Sequence, residues 1–150
     1  MRALILAAML VAPIPVAAAP GPNGTSARAF LQSIYVQYHK GGHGASMTRP
    51  ERWFEPVLAA AIRKDAAAAD RRGDVGKLDG DPFCDCQDFE SLNAVIGPVA
   101  IQGTRASVRV SFRNGDQISM RYTLLWTRDG WRVFDIQWKE GALREMYFPR

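Results

Sequence analysis

Residues 105–138 read RASVRVSFRNGDQISMRYTLLWTRDGWRVFDIQW, and the fold is decided by how this stretch pairs with itself. Ala106, Val108, Val110 and Phe112 alternate with Arg105, Ser107, Arg109, Ser111 and Arg113, the period of a strand with one buried face. Ile118, Met120, Tyr122, Leu124 and Trp126 repeat the pattern. A two-residue turn at Asn114-Gly115 would set Val110 beside Ser119 and mix the faces. A three-residue loop, Asn114-Gly115-Asp116, pairs Phe112 with Ile118 and Val110 with Met120, so burial selects it. The same register sets Arg109 opposite Arg121, with Arg105 and Arg113 on that face. At the next turn Asp129-Gly130 suits a two-residue connection, pairing Trp126 with Val133 and Leu124 with Asp135. This places Val133, Asp135 and Gln137 on the inner face and Leu125, Phe134, Ile136 and Trp138 on the outer one.

Helices precede these strands. Phe30, Leu31, Ile34, Tyr35 and Tyr38 form one broad apolar face, predicting a helix from a cap at Thr25 or Ser26 to about Tyr38. Thr48-Arg49-Pro50-Glu51 has the capping-box pattern. Pro56 predicts a kink or a restart, followed by an Ala-rich helix with Val57, Leu58, Ala61 and Ile62 inward until Gly73. Residues 73–88 read as a loop, long for a small domain. Gly141 to Tyr147 suits a short terminal helix. Helices followed by a meander predict an α+β domain, with the helices packed on one face of a curved antiparallel sheet.

The N-terminus reads as an address. One charge at Arg2, the apolar run Ala3 to Ala12 and the small residues Val16-Ala17-Ala18 match a removable signal peptide, residues 1–18, cleaved after Ala18. Pro13 and Pro15 leave the apolar segment too short to span a bilayer. A leader (19–24) and one domain (25–150) follow, and the expected location is periplasmic or secreted. Removing Arg2 takes the 19 Lys+Arg to 18 against 15 Asp+Glu, a net of +3. That is weak for a nucleic-acid partner, which is not expected. The charges are uneven: 74–90 holds six acids and only Lys77, whereas 101–150 holds nine Lys+Arg against five Asp+Glu.

Asp135, read as inward between Phe134 and Ile136, is the candidate general base, with Tyr122 or Gln137 as donor to a developing oxyanion. The binding candidates are Asp81, Gln87 and Asp88 of the acidic loop and Arg109 and Arg121 of the sheet. Like charges set directly opposite repel, so something acidic should lie between the arginines, the 74–90 loop or a partner, unless the face is simply a solvated polar one, the commoner outcome. Leu125, Phe134, Ile136 and Trp138 form a candidate interface suited to self-association. Cys84 and Cys86 are the only cysteines, and in an exported chain they are a disulfide candidate that requires the backbone to bend at Asp85. Residues 79–90 partly match a calcium loop but place Cys84 where the turn glycine belongs. Adding His39 and His43 to the cysteines makes no recognised zinc spacing. No metal or cofactor is expected, and no Gly-x-Ser-x-Gly occurs.

Four motifs in order carry a resemblance: Phe30-Leu31-x-x-Ile34-Tyr35-x-x-Tyr38, Arg52-Trp53-Phe54, Asp81-Pro82 with Gln87-Asp88, and Gly130-Trp131-Arg132-Val133-x-Asp135-Ile136. Together they resemble a family of small exported bacterial proteins with a domain of unknown function. That family is similar in layout to the nuclear-transport-factor-two-like superfamily. The resemblance implies a cone of curved sheet on helices, frequent homodimers and a pocket at the cone's mouth, and it implies no particular activity. The expected function is a non-catalytic exported module that binds an unknown protein or small ligand. An inhibitor or immunity-type role against an envelope toxin falls in this class. The rival is an isomerase- or hydratase-type enzyme built on Asp135.

Overall fold

The 105–138 stretch folds as three antiparallel strands, β2 (Arg105–Asn114), β3 (Asp116–Thr127) and β4 (Gly130–Trp138). β1 (Val95–Gln102) lies outside β2 and the two-residue β5 (Gly141–Ala142) outside β4, giving one sheet in the order β1-β2-β3-β4-β5. The computed structural model describes residues 21–150. The signal peptide read at 1–18 therefore lies outside the described residues. Among them, no helix is long and apolar enough to cross a membrane. Helices α1 (Gly24–Tyr35) and α2 (Pro56–Arg72) precede the sheet and α3 (Leu143–Tyr147) closes the chain. The class is α+β, with the helices packed against the five-stranded antiparallel sheet.

The β2–β3 register is the one burial selects: Phe112 faces Ile118, Val110 faces Met120 and Arg109 faces Arg121. Ala106, Val108, Val110, Phe112, Met120, Tyr122 and Leu124 are all buried on one side. The β3–β4 register differs from the sequence reading. The turn sits at Arg128-Asp129, so Thr127 pairs with Gly130 and Leu124 with Val133. Gly130, at a φ of 93°, supplies the left-handed backbone after the turn, and Thr127 Oγ1 donates to its carbonyl at 2.8 Å. A bulge then takes up Phe134, and pairing resumes with Thr123 to Asp135 and Tyr122 to Ile136. Relative to the expected register the strand has slipped by two residues at the turn and by one beyond the bulge. A one-residue slip exchanges faces. Asp135 and Gln137 therefore leave the inner side and Ile136, fully buried, enters it. The reason is desolvation: the expected register would have put a carboxylate and an amide into an apolar layer without partners.

The helices also depart in detail. α1 starts from Asn23, whose side chain accepts from Ser26 N at 2.9 Å, and ends three residues early at Tyr35. Gly24, read as the last residue of a leader, is the first residue of α1. Thr48 caps nothing; the segment it was read to open is a single 3-10 turn, Pro50–Arg52, with no side-chain cap. The restart at Pro56 occurs, with Glu55 as the cap and Gly73 in the left-handed conformation at the other end. Leu58, Ala59, Ile62 and Ala69 face inward, whereas Val57 is exposed.

Candidate interaction site

β2 and β3 carry opposite chemistry on their two faces because their side chains alternate. The inner face is closed. Tyr35 of α1 reaches Tyr122 of β3, with hydroxyls 2.7 Å apart, and donates to the Phe83 carbonyl at 2.9 Å. With its one hydrogen so used, Tyr35 accepts from Tyr122. Burial pushes both hydroxyls well above the usual phenol range. Phe83 stacks on Phe54 at 5.4 Å, and Phe112 packs against the Tyr35 ring at 5.8 Å. These rings belong to the hydrophobic core between the helices and the sheet.

The outer face is open and cationic. Arg105, Arg109, Arg113 and Arg121 are exposed, with Ser107 and Ser119 exposed between them and Ser111 and Thr123 half-buried. Arg109 donates to Ser119 Oγ at 3.3 Å. Among the described residues, no carboxylate forms an ion pair with any of the four. The acidic loop does not supply one: it folds onto the inner side, where Phe83 and Cys84 are fully buried in the core.

That loop is tied at Asp81. Its Oδ2 accepts from Tyr38 Oη at 2.6 Å and its Oδ1 from Phe83 N at 2.9 Å. Burial raises the Asp81 carboxyl above the usual range against the pull of these two donors. Cys84 and Cys86 are joined in a disulfide with Cα atoms 5.1 Å apart, and Asp85 between them takes a φ of 51°. The chain thus bends at Asp85, as the sequence geometry requires of such a bridge. Asp81 and Gln87 line a cleft of about 740 Å³ between α2, residues 74–81 and Tyr147; Asp88 does not. Asp65 of α2 and the buried, unpartnered Tyr147 hydroxyl also border it, and burial pushes that phenol up to about 12.

Asp135 has a structural partner. Its Oδ1 accepts from the backbone N of Arg144 at 2.9 Å, at the start of α3. Partial burial raises its carboxyl above the usual range, opposed by backbone donors and the Arg144 charge. Tyr122 is on the other side of the sheet and Gln137 is exposed. The candidate base and its Tyr122 donor are therefore not brought together. Asp135 is also absent from the walls of the cleft of about 740 Å³ and of four smaller ones among the described residues.

The expected apolar interface dissolves for the same reason. Ile136 is in the core, and half-buried Trp138 donates through Nε1 to the Pro82 carbonyl at 3.1 Å. Leu125 and Phe134 are half-buried, and the Phe134 ring lies between the guanidinium groups of Arg105 and Arg144, each 4.0 Å from its centroid. Arg144 also meets Glu55 at 2.7 Å, a carboxylate buried to 4% exposure. Sequence reasoning missed this node. Glu55 immediately before Pro56 is a legible cap signal; nothing local marks Arg144 as its partner 89 residues away.

No family model and no curated protein matches the chain. A chain of the type VI native effector-immunity complex Tae3-Tai3 from Ralstonia pickettii is similar in fold. It has a TM-score of 0.52 and 20% sequence identity, over 77% of this chain and 93% of that one. A phospholipid-binding protein from Ralstonia solanacearum, solved with a phospholipid, aligns at a TM-score of 0.40 and 18% identity, over 79% of this chain and 58% of that one. At this identity the first likeness speaks to the arrangement of helices on the sheet, and the second carries no argument.

Proposed function

We propose that this chain is an exported, periplasmic protein-interaction module with an immunity-type role: it binds and neutralises a protein toxin in the cell envelope. The observation that carries the reading is the uncovered outer face of β2 and β3, four exposed arginines with no carboxylate among the described residues to pair them. An aromatic-filled interior supports binding by a surface over chemistry in a pocket. The N-terminal Met1–Ala18 segment supports export. The layout shared with a chain of an effector-immunity complex supports the choice of partner class.

Contact competition on solid medium tests the proposal. A strain of the source bacterium lacking the gene should decline at least tenfold against its parent, and the full-length chain should restore it. A chain without residues 1–18 should not. Parity between deletion strain and parent would overturn the immunity role, and rescue by the leaderless chain would overturn export.

A further inference from the structure

We propose that the outer face of β2 and β3 docks a protein whose contacting surface is acidic, with Arg105, Arg109, Arg113 and Arg121 as its anchors; this rests on the reading of the chain as an interaction module. Arg109 and Arg121 stand directly opposite each other, and like charges so placed on a sheet destabilise it. The acidic loop is spent on the inner side, with Asp81 bonded to Tyr38 and Phe83. Asp135, opposite Thr123 on this face, forms no ion pair with the arginines either, so their charge is left to solvent or to a partner. Ser107, Ser111, Ser119 and Thr123 between the arginines keep the face level. Guanidinium forks on such a plane meet carboxylates two bonds at a time, and the hydroxyls supply short donors beside them.

Other occupants fit poorly. A second copy presenting this face would set arginine against arginine. A bilayer would gain little, since the apolar side chains at this face are Leu125, Ala100 and Val95 of β1, and Phe134, whose half-buried ring is already held against Arg105 and Arg144. Single-stranded nucleic acid would find no aromatic ring to stack on in these rows. Pairing along the edge of β1 is blocked as well. Pro98 removes a donor there, and Arg28 donates to the carbonyls of Ile96 and Gly97 at 2.6 and 2.7 Å. The partner therefore comes to the face of the sheet.

The test uses the mature protein with poly-L-glutamate as a probe of carboxylate surfaces, vesicles of phosphatidylglycerol as the lipid arm, and the contact competition with substituted chains. Amide shifts on adding poly-L-glutamate should concentrate in 105–113 and 117–125. Arg109→Ser/Arg121→Ser should weaken binding at least tenfold and abolish protection, whereas Arg71→Ser/Arg72→Ser on the exposed end of α2 should leave both unchanged. Equal weakening by the two pairs, shifts elsewhere on the molecule, or tighter binding to the vesicles would overturn the docking surface. Protection that survives Arg109→Ser/Arg121→Ser would also overturn it and leave the immunity role standing. Loss of the immunity role with an intact shift map would do the reverse.

Discussion

Arg144 links three parts of the molecule. Its guanidinium reaches Glu55 at the start of α2, covers the Phe134 ring at the β4 bulge, and its backbone N is held by Asp135. Removing one partner of a buried pair leaves the other charge without compensation. Arg144→Met should therefore cost about 2–3 kcal/mol in urea unfolding, less than for a fully sealed pair because the Arg144 side chain keeps 26% of its exposure. The double substitution Glu55→Gln/Arg144→Met should be less destabilised than the sum of the single changes, and strict additivity would show that the pair is not coupled. Asp81 makes a pH prediction. Because burial raises its carboxyl, the folded state holds this proton more tightly than the unfolded chain does. The stability so gained is complete below the ordinary aspartate range and is lost as pH rises through the raised folded value. In paired urea melts from about pH 3 to about pH 7, wild type should compare best with Asp81→Asn at the acid end. The difference should move against wild type as the carboxyl ionises. A difference that stays flat, or moves the other way, would contradict the assignment.

At the scale of elements, the β1 edge is finished by Arg28 of α1, which satisfies two carbonyls at the irregular Gly97-Pro98 step. Arg28→Ala should cost about 1–2 kcal/mol and raise self-association in light scattering, because it uncovers an edge. Lys at this position should recover only part of the loss, since a point charge cannot serve two carbonyls as a fork does. The β2–β3 hairpin was legible in the sequence because both strands alternate without a break and only one loop length keeps the faces pure. The β3–β4 hairpin was not. Asp129-Gly130 is a strong two-residue turn signal, yet Gly130 serves as the residue after the turn. The bulge at Phe134 leaves no mark on the alternation Val133-Phe134-Asp135-Ile136. Its cause is non-local: Trp53 and Glu55 exchange backbone bonds with Val133 beside it, and Ile136 gains a fully buried place. The α1 cap was misread for a related reason. Ser26 suits a cap by type, but its Oγ instead accepts from Trp131 Nε1 at 2.9 Å, 105 residues away.

The whole molecule is sided. Aromatic rings from α1, the disulfide-closed loop and β2–β3 fill one side of the sheet, and arginines and hydroxyls cover the other. The cationic stripe was readable from strand period alone. The fate of Asp135, Phe134, Ile136 and Trp138 was not, since it turns on one inserted residue. That residue also separates an enzyme-like reading, with a carboxylate inside the sheet, from a surface-binding one, with that carboxylate capping α3. Interstrand nuclear Overhauser contacts in the protein test this directly. They should join Tyr122 to Ile136 and Thr123 to Asp135. Contacts joining Leu124 to Asp135 and Thr123 to Ile136 would return the carboxylate to the interior and contradict the account.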